Sequence, residues 1–181
     1  MDITVVVAKI VNFVKNQTRQ FLTLCLLFAP IISFGENTIE HDINKVLDEF
    51  HAAAAKADTQ SYLNYLTKDA VFLGTDEWER WPKFPDFNAY VKKRFKDGSG
   101  WNYIPDKREI KISQNKDIAW FDEVIISVNN NRFRGTGVLI KSNDKWKIAH
   151  YALSFLIFNE DWEEVVRLTK ERQEKNQKII N

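Results

Sequence analysis

The sequence predicts an α+β domain in which helices come first and a curved antiparallel sheet follows. Three observations predict it. Apolar residues between Ile39 and Ala57 recur every three or four positions, the period of one helix face. From Trp101 onward the period shortens to two, the alternation of a half-buried strand. The separators between those later runs, such as Asn129-Asn130-Asn131 and Asn143-Asp144, are too short for a parallel crossover, which needs about a dozen residues or more. Helices filling the concave side of such a sheet form a cone closed at one end.

In chain order, Asn37 and Thr38 can cap the first helix, with Glu40 placed to close a capping box on Asn37. Ile39, Ile43, Val46, Leu47, Phe50, Ala54 and Ala57 form its apolar face. Asp58 is a second N-cap, opening a short helix through Tyr62, Leu63 and Leu66. Ala70 to Leu73 is a short strand ended by Gly74, and Thr75 to Trp81 reads as a polar, aromatic loop. Pro82 and Pro85 bracket a turn, after which Asp86 can cap a third helix with Phe87, Val91 and Phe95 facing the core. Asp97-Gly98-Ser99-Gly100 ends it. Strands follow over Trp101–Ile104, Arg108–Ser113, Ile118–Val128, Arg132–Lys141 and Lys145–Phe155. Asn159 or Glu160 opens a last helix, apolar at Trp162, Val165, Val166 and Leu168 and polar beyond Thr169.

A chain of 181 residues suits one domain. Its 26 basic residues nearly cancel its 25 acidic ones, which argues against a nucleic-acid surface, since that needs a basic surplus. The single cysteine, Cys25, excludes an internal disulfide framework and a cysteine-based zinc site. The three histidines, His41, His51 and His150, show no metal-ligand spacing, so neither a metal nor another cofactor is expected.

Residues 1–35 stand apart. Phe21 to Phe34 carries no charge and follows Lys9, Lys15 and Arg19, the pattern of a secretory signal whose cleavage falls after Gly35. The run is shorter than the ~20 residues a membrane span needs. Three other readings stay open: a translation start downstream of Met1, an uncleaved N-terminal anchor as the only route to a membrane, or a buried N-terminal helix. The expected organisation is therefore a leader over 1–35, a domain over 36–158, and a C-terminal helix with a polar tail over 159–181. A secreted or periplasmic location follows from the leader, and the lack of cysteine after residue 35 suits it.

Three stretches carry a resemblance. They are Phe72-Leu73-Gly74-Thr75-Asp76 with Glu79-Arg80-Trp81, then Ala119-Trp120-Phe121-Asp122-Glu123, then Arg134-Gly135-Thr136-Gly137-Val138-Leu139 with Trp146-Lys147-Ile148 and Tyr151. From about Ile39 to Asn159 the chain resembles a SnoaL-like domain of the nuclear transport factor 2 superfamily, which includes ketosteroid isomerase. The resemblance implies a cone-shaped fold with a pocket between helices and sheet, often dimeric through the outer sheet face. It implies no single reaction, because this fold carries many activities. Ketosteroid isomerase works with an Asp base and Tyr and Asp oxyanion donors, a set that does not map onto this chain.

Strand alternation nominates the pocket wall. A two-residue turn at Asn130-Asn131 pairs Glu123 with Val138, and a three-residue loop from Asn143 to Lys145 pairs Val138 with His150 and Arg134 with Ser154. One face then carries Phe121, Glu123, Ile125, Arg134, Thr136, Val138, Ile140, Trp146, Ile148, His150 and Ser154. Glu123, Arg134 and His150 on one apolar wall make either a site or a structural network. In the first reading Glu123 or His150 is a general base and Arg134 holds an anion, with Tyr62 and Ser154 as further ligand contacts. In the second, Glu123 pairs with Arg134, and His150 bonds to backbone or to Tyr62. Trp81 either stacks on a flat ligand or staples its loop to the third helix. Trp120, Val124, Ile126, Val128 and Phe133 fall on the outer face as an apolar patch that favours a homodimer.

The function expected is that of an exported domain binding a small organic molecule in the cone. Proton-transfer chemistry of isomerase, dehydratase or hydrolase type is one extension. The other reading is a non-catalytic interaction or dimerisation module that uses the outer sheet face.

Overall fold

The computed structural model describes residues 33–180, with side chains placed for residues 38–177. The expected leader lies almost wholly outside those residues. The chain divides after Thr38, and the sheet, core and cavity belong to the part from Ile39 onward.

Helix α1 (Ser33–Ala55) is already helical upstream of Asn37 and Thr38, so these do not start it. Its Ile43, Leu47, Phe50 and Ala54 are buried against the sheet, in a stripe stepping by three and four. Each large side chain so buried stabilises the fold by about 1.5–3 kcal/mol. Helix α2 (Thr59–Asn64) is capped as expected, Asp58 accepting the Ser61 N–H at 3.0 Å. Strand β1 (Leu66–Leu73) begins earlier than its apolar core suggests. The loop after it returns as a short strand β2 (Arg80–Pro82), where Trp81 pairs with Phe72. An irregular turn over Lys83–Phe87 leads into helix α3 (Asn88–Phe95), which has no side-chain cap, so Asp86 does not serve as one.

The four remaining strands are β3 (Tyr103–Ile112), β4 (Ile118–Ser127), β5 (Arg132–Ser142) and β6 (Lys145–Phe155). The two short strands expected before Ser113 are one, broken by a bulge between Pro105 and Lys107. Helix α4 (Trp162–Ile180) closes the described chain, with Trp162 and Leu168 exposed. The six strands form one curved sheet in the order β2-β1-β6-β5-β4-β3. The fold is α+β, with helices against the concave face. The sheet is mixed, not purely antiparallel, because β1 lies parallel to β6. The long stretch between β1 and β6, holding β2, α3 and β3 to β5, leaves room for that crossover, whereas the later hairpins do not.

Two turns reset the expected register. Between β4 and β5 the loop has three residues, closed by the Ser127 N–H on Asn131 C=O at 2.9 Å, with Asn130 at φ 61°. Glu123 therefore pairs with Gly135, not Val138. The shift is odd, so every β5 side chain changes face. Phe133, Gly135, Gly137 and Leu139 point inward, and Arg134, Thr136, Val138 and Ile140 outward. Between β5 and β6 the turn is two residues, Asn143 and Asp144, both at positive φ. A bulge at Ala149 then restores the expected pairs Val138–His150 and Arg134–Ser154. Inward residues in β6 are Trp146 and Ile148 before the bulge, and Tyr151 and Leu153 after it.

Candidate functional site

Glu123 is 1% exposed at the middle of β4, on the face covered by α1. Its Oε1 lies 2.7 Å from His51 Nε2 and accepts the Tyr151 hydroxyl at 2.8 Å. Its Oε2 accepts the Arg108 Nε–H at 2.9 Å, and Arg108 Nη2 lies 2.8 Å from the same oxygen without a well-aligned acceptor. Arg108 also reaches α1, where Asp48 Oδ1 at 2.8 Å and Asn44 Oδ1 at 3.0 Å accept its Nη1. The cluster thus joins β3, β4, β6 and α1 through one carboxylate.

Each element places its residue for a local reason. Arg108 is directly opposite Glu123 across the β3–β4 ladder, and Gly135 is opposite it on the other side. A side chain at Gly135 would run into the Tyr151 hydroxyl and sit 3.0 Å from Glu123 Cγ, so glycine there lets the two meet. His51 stands one helical turn after Leu47, on the buried stripe of α1.

Burial pushes the Glu123 carboxyl up, but the hydrogen bond and charge of His51 and the charge of Arg108 outweigh it and hold the group below the usual carboxylate value. Burial pushes the Tyr151 hydroxyl well up, and the Glu123 charge pushes it further, so Tyr151 remains a donor. An ionised carboxylate only accepts, so the shared proton with His51 is on Nε2. Among the described residues no hydrogen bond occupies His51 Nδ1. In its neutral form the ring would present Nδ1 as an acceptor and base, and in its charged form Nδ1–H as a donor.

His51 and Tyr151 lie at the wall of a cavity of about 220 Å³. Phe50, Tyr62, Phe72, Trp81, Tyr90 and Trp101 are among its aromatic walls, and Gly74, Thr75 and Glu79 contribute from the β1–β2 loop. Tyr62 stacks on Phe50 at 4.3 Å, and Trp81 stacks on Tyr90 at 4.6 Å, which ties the loop side to α3 while leaving both residues on the cavity. Among the described residues no group of three or more His, Cys, Asp or Glu is placed to hold a metal ion.

Of the residues nominated from sequence, Glu123, Tyr62 and Trp81 come to this region. Arg134, His150 and Ser154 do not. They face outward, where Arg134 lies 3.8 Å from Asp122 on the exposed side. The expectation that Glu123, Arg134 and His150 share one environment is overturned by the register. The partners are Arg108 and His51 instead. Phe133 moves the other way, from the expected outer patch to the cavity wall. Trp120 stays outside at 50% exposure.

Residues 43–158 match the family model described as SnoaL-like domain. No functionally curated protein matches the chain. Several solved structures share the fold. An NTF2-like protein of unknown function from Pseudomonas putida superposes with a TM-score of 0.58 at 11% identity, covering 68% of this chain and 91% of that one. A function-unknown protein from Mycobacterium tuberculosis gives 0.59 at 16% identity, over 74% and 81%. A domain of unknown function with a cystatin-like fold from Nostoc punctiforme gives 0.58 at 13% identity, over 79% and 94%.

Proposed function

This chain belongs to the SnoaL-like domain family, and we propose that it binds a small, mostly apolar organic molecule in its aromatic cavity, where His51 moves a proton at the bound ligand. The observation that carries the reading is the position of His51. Its ring lines the cavity while its Nε2–H is given to Glu123 at 2.7 Å. A carboxylate in that place fixes the tautomer and ring orientation and stabilises the imidazolium once Nδ1 has taken a proton. Arg108 and Tyr151 hold the carboxylate in turn. Glu123 is itself a poor base, being held ionised and wholly enclosed, so it acts by positioning His51. The chemistry fits isomerase, dehydratase or hydrolase-type steps that begin with proton abstraction.

Native mass spectrometry of protein purified from its own host tests this. The expected result is a retained small molecule whose occupancy falls in His51→Asn, with the variant shown to be folded by circular dichroism. Equal occupancy in the variant, or a cavity that retains nothing, refutes it.

A second reading has its own observation. On the outer sheet face Trp120, Ile118, Ile140 and Ile104 are exposed apolar side chains, which favours a homodimer formed there, with or without catalysis. Sedimentation of wild type and Trp120→Glu checks it: a dimer lost in the variant supports it, and a wild-type monomer at micromolar concentration removes it. Export to a secreted or periplasmic place completes the proposal and rests on the sequence of residues 1–35. N-terminal sequencing is expected to begin near Glu36, and an intact cytoplasmic chain refutes it. Among the described residues no helix is long and apolar enough to cross a membrane.

A further inference from the structure

The lining of the cavity is one-sided in its chemistry. Ten of its seventeen residues are Phe, Tyr or Trp, none is Lys or Arg, and its one carboxylate is Glu79. That carboxylate is held in place. Oε2 accepts the N–H groups of Thr75 at 2.8 Å and Asp76 at 3.1 Å, and the Glu79 carbonyl accepts the Gly74 N–H at 2.8 Å. Among the described residues Oε1 makes no hydrogen bond. Gly74 has no side chain to compete for this space, and a Cβ there would run into the Glu79 carboxylate. The loop therefore presents a held carboxylate at a cavity otherwise lined mostly by aromatic rings.

We infer that the cavity selects a small alkylated ammonium ion, with the charged nitrogen among the rings near Glu79 and the rest of the molecule toward His51. This rests on the ligand-binding reading above and names its ligand class. Aromatic rings attract a cation through their quadrupole, and the attraction grows when water is excluded. A carboxylate at the same place adds to it. A tertiary or quaternary ammonium fits better than a primary one, which would leave N–H donors facing rings. Outside the lining, the Arg94 guanidinium lies 5.9 Å from the centre of the Trp101 ring. The Glu79 charge is felt within the cavity, because the Tyr90 hydroxyl is pushed up first by burial and then by Glu79, with the Arg94 charge acting the other way. The size agrees: 220 Å³ exceeds the roughly 150 Å³ that holds benzene in an engineered core, enough for a trimethylammonium group and a short chain. A neutral flat ring would also meet the aromatic walls, but it makes no use of a carboxylate held in this way.

Isothermal titration of the wild-type protein with choline and with its neutral isostere, 3,3-dimethylbutan-1-ol, tests the inference. Choline is expected to bind about 5–30-fold more tightly, the range that a desolvated cation–aromatic contact supports. In Glu79→Gln, shown to be folded by circular dichroism, the preference is expected to fall by the share the carboxylate supplies, while the share from the rings remains. Equal binding of the two probes, or binding of the neutral one alone, overturns the ammonium assignment and leaves small-molecule binding in place. A preference undiminished in Glu79→Gln overturns it too. No binding of either probe also overturns it, and the further absence of any copurified molecule overturns the ligand-binding reading with it.

Discussion

Replacing Glu123 by glutamine keeps the shape of the side chain and removes the charge on which four elements converge. The wild-type carboxylate is fully enclosed and receives His51 and Tyr151 on one oxygen and Arg108 on the other. Glutamine offers one oxygen and one NH2. If the oxygen stays with His51 and Tyr151, the NH2 meets the Arg108 donors. If the amide turns over, two hydrogen bonds are lost in place of one. Removing one partner of a buried ion pair costs about 3–5 kcal/mol. Asp48, 62% exposed, still faces Arg108 at 2.8 Å, so the loss belongs at the lower end, about 3 kcal/mol. For a domain of this size that is a fall of roughly 10 °C in Tm. Urea denaturation at pH 7 measures it across wild type, Glu123→Gln, Arg108→Met and the double variant. A charge-assisted hydrogen bond contributes about 1.5–3 kcal/mol, so the double variant should be less destabilised than the two single losses together by about that amount. Additivity within about 0.5 kcal/mol refutes the reasoning, because it would mean the two side chains do not depend on each other.

Stability should also depend on acid. The folded pKa of Glu123 is below its unfolded value, near 4.5, so its contribution is complete above that value and is lost as pH falls through the lower folded one. The urea midpoint is expected to drop more steeply below pH 4.5 in wild type than in Glu123→Gln, and parallel curves would count against the assignment. Gly135→Ala should cost about 1–3 kcal/mol in the same assay, because its methyl must displace the Tyr151 hydroxyl from Glu123. Arg134→Ala should change stability by less than about 0.5 kcal/mol, since its contact with Asp122 is exposed; a loss several times larger would place Arg134 indoors after all.

Much of the fold is legible from period alone: the α1 stripe, the Asp58 cap, and the hairpins from β3 to β6 all follow from residue spacing. The site is legible only where turn geometry is. Three consecutive asparagines can turn in more than one way, and the difference of three between the expected and observed pairings reverses β5. The usual check, apolar residues facing inward, misleads there. The inward set includes Gly135 and Gly137, which carry no hydrophobic signal, while Thr136, Val138 and Ile140 on the other face do. Arg108 could have been found from the β3–β4 hairpin, since the Ser113–Ile118 closure leads by counting to Glu123. His51 could have been found from its spacing to Leu47 and Ala54, which places it on the buried stripe despite its polarity. The cavity depends on how rings pack across α1, α3 and the sheet, and no local pattern encodes that.

The bulge at Ala149 makes one position in β6 unusually tolerant of a change in chain length. Deleting any other single residue of the strand would exchange the faces of everything beyond it, sending Tyr151 outward or Trp146 into water. Deleting Ala149 removes only the unpaired residue, so Trp146 and Ile148 keep their places and so do Tyr151 and Leu153. What changes is bending, because a bulge adds local twist to its strand. Sheet curvature, and with it the room enclosed beneath α1, is thus adjustable at Ala149 without altering a single residue that lines it. A one-residue change at this position would therefore resize the cavity while its lining stays constant.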